Sequence, residues 1–288
     1  MRILLLSKAD LFGNCILNRL LPALRLDNEL AVCLSDRIFR NERGFPDTDR
    51  FMHYTRDLLL DRLFPALDGA PRREPGGELL SFAALGEKHG VPMTPLGGDN
   101  KRARGATRNI AAEFRPDAIL CCRHDFIVPS DVFAAAPLGA YNLHSGAVPH
   151  YRGPFCSFWS MMNRDRSLGC SLHTLKEKVD TGDIVDTAWV RADYSSPLVS
   201  NLLNTYLAGA EMFLAHSKRL RRGPLAGLPQ PPGAGNYYPQ PDAGDCRKFA
   251  RQGGIMADAE GCGRILERYL PRGVRMEEAL PGWKLEEE

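Results

Sequence analysis

The chain has 288 residues, of which 44% are hydrophobic and 25% charged, values of a folded globular protein that exclude a disordered or collagen-like one. Lys and Arg number 37 against 35 Asp and Glu, a formal charge of +2 that is too balanced for a protein whose main partner is a polyanion. The longest apolar runs, such as Ile3–Leu6 and Ala118–Cys122, fall far short of the ~18 residues of a membrane span, so no membrane partner is expected.

Residues 2–6 read as a buried strand rather than a leader, because the apolar stretch runs straight into Lys8, Ala9 and Asp10 with no cleavage-like segment. A cytoplasmic location is expected. Asn14–Leu26 sets Ile16, Leu17, Leu20, Leu21 and Leu24 at helical spacing, and Glu29–Leu34 is a second apolar strand. Strand, helix, strand opens a parallel α/β sheet, since parallel strands need a crossover. Phe51–Leu67 and Leu79–His89 are helical in pattern, with an exposed Gly/Pro-rich, charged loop at 68–78 between them. Val91–Leu96 carries Pro92 and Pro95 and is at best an edge strand. An amphipathic helix at Arg102–Phe114, an apolar strand at Ala118–Cys122 and a short strand at Ala140–Leu143 continue the alternation.

A change of style follows. Gly169–Leu175 and Ile184–Arg191 alternate like antiparallel strands joined by the turn Val179–Asp183, and Pro197–Leu220 forms a long helix. Pro224, Pro229, Pro231, Pro232, Pro239 and Pro241 give residues 223–241 the composition of a linker. One helical stretch is expected beyond it, near Cys262–Tyr269. The chain divides into a catalytic domain at 1–222 and a linker with a small C-terminal extension at 223–288. No GxxxxGKS/T loop occurs, and Ser7–Gly13 replaces the GxGxxG that would follow a first dinucleotide-binding strand. The eight cysteines include no CxxC pair, so neither zinc nor any other metal is expected.

The chemistry concentrates in Asn142–Gly153. Asn142 and His144 lie two apart at the carboxyl end of a predicted strand and so share a face. That end of an open α/β sheet is where ligands bind. An amide and an imidazole converging there can polarise a carbonyl and hold the oxyanion formed from it, or can be a satisfied polar pair. Asp180-Thr181-Gly182-Asp183-Ile184 adds a carboxylate on a glycine-containing turn. If it faces His144, Asp180 can orient the imidazole or raise its basicity. Asp183 is read as an Asx-type turn, and the lone His150 and His173 as structural.

Asn-x-His, Pro-x-Tyr-Arg-Gly at 149–153, Gly-x-x-x-His at 169–173 and Asp-Thr-Gly-Asp-Ile together resemble the signature series of the folate-dependent formyltransferases. The resemblance covers about residues 1–220 and is best at 117–191. It implies a Rossmann-like parallel sheet that binds N10-formyltetrahydrofolate, uses no metal, and passes the formyl group to an amine. Asn142, His144 and Asp180 match the family's catalytic trio. The reduced folate is expected against Phe126, Ile127 and Val128 on one side and Leu175 and Val179 on the other. Tyr151 and Arg152 are expected at the acceptor, and Tyr238 offers a stacking surface that could also serve as an anchor for the tail. Two departures, Ser-Gly-Ala-Val before Pro149 and Arg123-His124 after the apolar strand, bear on the acceptor rather than on the reaction.

The segment after Leu220 opens on the Pro/Gly-rich stretch and ends in Leu285-Glu286-Glu287-Glu288, unlike the basic tRNA-binding domain of the methionyl-tRNA enzymes, so nucleic acid is not expected. Lys218–Arg222 reads as a solvated helix end. The resemblance then implies a small amine acceptor. A nucleotide-linked amino sugar comes first and an amino-acid-derived amine such as hydroxyornithine second, with methionyl-tRNA and a catalytically dead folate-binding module behind them. A homodimer is compatible with the sequence.

Overall fold

The computed structural model describes residues 1–39, 42–69 and 77–285; residues 70–76 of the expected loop and the acidic Glu286–Glu288 lie outside them. The first half contains β1 (Arg2–Lys8), α1 (Leu11–Leu24), β2 (Glu29–Ser35), α2 (Pro46–Met52), α3 (Phe64–Gly69), α4 (Phe82–His89), β3 (Met93–Leu96), α5 (Asn100–Phe114) and β4 (Ala118–Cys122). A π-helical stretch, His53–Leu63, joins α2 to α3. The middle contains α6 (Ser130–Ala134), β5 (Ala140–His144), β6 (Tyr151–Arg152), α7 (Cys156–Met162), β7 (Ser167–Thr174), β8 (Ile184–Arg191) and α8 (Leu198–Ser217). Then come β9 (Asn236–Tyr237), α9 (Ala243–Arg251), α10 (Ala259–Leu266) and α11 (Met276–Ala279). Among the described residues no helix is long and apolar enough to cross a membrane.

Seven strands form one sheet in the order β3-β2-β1-β4-β5-β7-β8. The first five are parallel, and β7 and β8 are antiparallel additions, as their alternation predicts. This is a Rossmann-like α/β sheet. The proline-bearing β3 is at the edge, where a missing N–H does not interrupt the ladder. The strand order reverses between β1 and β4, which leaves a crevice at their carboxyl ends. In β1, Ile3 and Leu5 face the larger core under α1 and α8, while Leu4 and Leu6 face the smaller core under α5 and α6. Burial on both faces is why this strand is apolar without interruption. α1 starts earlier than its apolar spacing suggests, because the Asp10 carboxylate caps it by accepting from the Gly13 N–H at 2.8 Å.

Phe249, Leu266, Tyr269 and Trp283 join the same core as α1 and α8. Tyr269 donates to Asn14 Oδ1 at 2.6 Å. Helix α9 has no counterpart among the expected elements. Its signal is the capping box Asp242–Asp245, which follows directly on the Pro/Gly-rich composition and is masked by it. The 223–241 stretch is a strap rather than a spacer: β9 pairs in parallel with β6, Leu225 N–H donates to Tyr141 Oη at 2.7 Å, and Trp159 Nε1 donates to Pro239 O at 2.8 Å.

Candidate active site

The ends of β1, β4 and β5 open into a cavity of about 440 Å³. Asn142, His144 and Asp180 all line it, as do Phe126, Ile127, Val128, Leu175 and Val179. Asn142 and His144 come from β5 and point to one side of the pleat, as their spacing predicts. Asp180 comes from the β7–β8 turn in a left-handed conformation (φ 54°), and its Oδ2 accepts from Gly153 N–H at 2.8 Å. The neighbouring Gly182 is required, because a Cβ there would lie 1.6 Å from Thr174 O.

Asp180 Oδ1 stands 3.6 Å from His144 Nδ1 and 3.7 Å from His173 Nε2. His144 donates its Nε2–H to Tyr151 O at 2.9 Å, which leaves Nδ1 toward the carboxylate. His173, directly opposite Asn142 in the β5–β7 register, donates Nδ1–H to Thr174 O at 2.9 Å. Its Nε2 is therefore an acceptor, and takes an N–H from Asn142 Nδ2 at 3.2 Å. Asn142 keeps its second N–H and its Oδ1 for the cavity. Burial pulls the His173 pKa down, with Asp180 opposing and His144 reinforcing the shift, so the ring stays neutral and the tautomer fixed. The reading of His173 as merely structural thus misses a side chain that aims Asn142. Its signal lies in the alternation of the two strands: Asn142 and His144 are two apart, Ser171 and His173 are two apart, and antiparallel pairing sets Ser171 opposite His144 and His173 opposite Asn142.

Cys156 Sγ lies 3.4 Å from His144 Nε2 and donates to Gly153 O at 3.1 Å. Burial pushes its thiol well up, which makes it a packing group rather than a nucleophile. On the apolar wall, Phe126 and Val128 are buried in the smaller core while Ile127 is 56% and Val179 48% exposed. Tyr151, Arg152 and Tyr238 are not among the cavity-lining residues. Tyr238 stacks between Tyr151 and Trp159, with ring centroids 5.1 and 5.3 Å away. Arg152 gives its guanidinium to Gln230 Oε1, and Gln230 Nε2 in turn donates to the carbonyls of Asp180 at 2.9 Å and Gly182 at 2.7 Å. These residues brace the Asp180 turn from behind. From the strap, Tyr237 and Gln240 reach the cavity instead. Lys8, Glu42, Arg123 and Asp125 give the cavity a charged stretch of lining as well. Among the described residues, no group of three His, Cys, Asp or Glu side chains could hold a metal ion.

Residues 91–199 match the family model described as formyl transferase. The methionyl-tRNA formyltransferase of Chlorobium chlorochromatii (strain CaD3) is 32% identical over 124 residues, 42% of this chain and 38% of that protein. The chain spans 38 to 42% of the length of the curated methionyl-tRNA formyltransferases it matches. In fold it is similar to the phosphoribosylglycinamide formyltransferase of Anaplasma phagocytophilum (TM-score 0.55, 13% identity, 84% of this chain and 99% of the other). It is also similar to a sugar N-formyltransferase from Shewanella sp FDAARGOS_354 (TM-score 0.51, 16% identity, 95% and 89%). The resemblance is to the folate-dependent formyltransferase superfamily, in sequence over 91–199 and in fold across most of the chain.

Proposed function

We propose that the protein is an N-formyltransferase that moves the formyl group of N10-formyltetrahydrofolate to the amine of a small acceptor. The observation that carries this is one cavity in which an apolar wall lies beside an Asn–His–Asp cluster. The flat pterin of the co-substrate would sit against Phe126, Ile127, Val128, Leu175 and Val179, with the backbone of the 126–128 loop offering hydrogen bonds. The acceptor nitrogen attacks the formyl carbon, and the free N–H of Asn142 holds the oxygen as it becomes an oxyanion. Asp180 takes the proton from the attacking nitrogen, with His144 Nδ1 beside it to share that proton. The C–N10 bond breaks, N10 regains a proton, and tetrahydrofolate and the formamide leave. His173 acts through Asn142 by holding its amide in one orientation. Incubation with N10-formyltetrahydrofolate and three acceptor classes (amino-sugar nucleotides, amino acids, charged tRNA) tests the reading. Tetrahydrofolate release that depends on one class is expected. Absence both of release and of folate-analogue binding in calorimetry would overturn it.

A further inference from the structure

Beyond the trio the cavity runs into an arm walled by charge, and nearly all of that charge is already spent. Lys8 Nζ is held by Asp125 Oδ1 at 2.9 Å, Glu42 Oε1 at 3.2 Å and Arg37 O at 3.0 Å, so its three N–H groups are taken. The N-terminus of α1, the kind of place where a phosphate would bind, is filled by the Asp10 carboxylate. Two cations here face three carboxylates, Asp10, Glu42 and Asp125. Lys8 therefore has no donor left for a diphosphate.

Arg123 is the exception. Its Nε donates to Asp10 Oδ2 at 2.9 Å and its guanidinium lies 5.1 Å from the Phe12 ring centroid, yet its two terminal amino groups donate to nothing among the described residues. The side chain is 14% exposed, and what it faces is the cavity. The ladders pair Leu6 with Cys121 and Cys122 with Leu143. Arg123 follows directly on β4 and leaves the strand's extended course with a left-handed φ of 67°. Ser145 and Tyr206 line the same arm.

Resting on the formyl-transfer reading, we propose that this arm is the acceptor subsite and that it takes an amine bearing a carboxylate and no phosphate. The free end of the Arg123 guanidinium is a two-donor fork that matches a carboxylate. The excess of carboxylates around it suits a molecule that arrives with an ammonium group as well, and that group gives up its proton before it attacks. The arrangement favours this zwitterion over the nucleotide-linked amino sugar, whose diphosphate would meet Glu42 and Asp125.

The test uses the full chain with N10-formyltetrahydrofolate and three probes: L-ornithine, its carboxylate-free counterpart 1,4-diaminobutane, and a nucleotide-linked amino sugar. Expected is transfer to ornithine, with kcat/KM lower by about 10²-fold or more for the diamine. Arg123→Gln should erase that preference and leave the Kd of a folate analogue unchanged. Because this variant strands Asp10 without its cation, the pair Asp10→Asn/Arg123→Gln is assayed beside it and should behave alike. Transfer to the nucleotide sugar, equal use of the diamine, or a preference that survives in a folded Arg123 variant would overturn the proposal. So would failure of ornithine and L-lysine alike to react with or bind the folate complex. In each of these outcomes folate-analogue binding persists; its loss in the unaltered protein would instead sink the formyl-transfer reading.

Discussion

In the apolar lining of the cavity Ile127 stands 56% exposed between the buried Phe126 and Val128, held in place by how its neighbours pack into the smaller core. In the charged lining Lys8, Glu42 and Asp125 are locked to one another, while the Arg123 guanidinium keeps free donors. The apolar lining recognises by area, which is spread over several side chains and forgiving of any one apolar change. The charged lining recognises by one fork. Loss of a few methylenes therefore weakens the first gradually, while one substitution can rewrite the second.

The largest effects belong to neither lining. Asn142→Ala, His144→Ala and Asp180→Ala should each lower kcat by ~10²–10⁴ with the fold intact, because each removes a contact made as charge develops. The three act together, so losses in the His144/Asp180 double variant should fall far short of the product of the singles. Steady-state rates on the singles and the double would measure this, and simple multiplication would deny a shared centre.

Next comes the exchange of effects between the two linings. Ile127→Asp puts a charge where the pterin face is covered, at ~1–3 kcal/mol or roughly tenfold to hundredfold in folate affinity, and should leave the acceptor KM alone. Arg123→Gln should do the reverse. Calorimetry with a folate analogue and acceptor titrations on both variants would separate them, and a variant that moved both constants equally would merge the two linings into one site.

The sequence made the parallel sheet and the shared face of Asn142 and His144 legible for physical reasons. Buried parallel strands are apolar without interruption, as in Ala118–Cys122, and a two-residue spacing at a strand end puts Asn142 and His144 on one face. Asp180 could be put on a glycine-containing turn, but only the resemblance singled it out, and its approach to His144 is seen only in the folded chain. The strap was not legible: the prolines and glycines that signal a linker also fit a chain laid flat against another, and nothing local announces that Asn236–Tyr237 pairs with Tyr151–Arg152. Nor could Tyr151, Arg152 and Tyr238 be assigned, since a tyrosine for stacking on ligand and one for stacking on protein are the same residue type. The spent state of Lys8 depends on Glu42 and Asp125, far away in sequence, and only the folded chain reveals it.

A smaller effect concerns the ring that aims Asn142. Burial depresses the His173 pKa, so the folded protein keeps it neutral, while the unfolded chain takes up a proton near the ordinary value of ~6.5. Below that pH the unfolded state binds more protons, so stability is complete above it and falls as pH drops toward the depressed folded value. Urea midpoints should decline between pH 7.5 and 5, and His173→Gln should flatten the decline. An unchanged slope in the variant would place the pH sensitivity elsewhere.

The smallest effect tests whether the strap takes sides. Tyr238 lies between the rings of Tyr151 and Trp159, and its backbone N–H donates to Arg152 O at 2.8 Å. Two stacked contacts of this kind are worth ~1–2 kcal/mol beyond what the backbone pairing supplies. Tyr238→Ala should therefore lower Tm by a few degrees while both the folate and the acceptor KM stay near their original values, because the rings it loses face the strap and not the cavity. A rise in the acceptor KM alone would draw Tyr238 into the charged arm, and the two linings would then differ in their reach as well as in their chemistry.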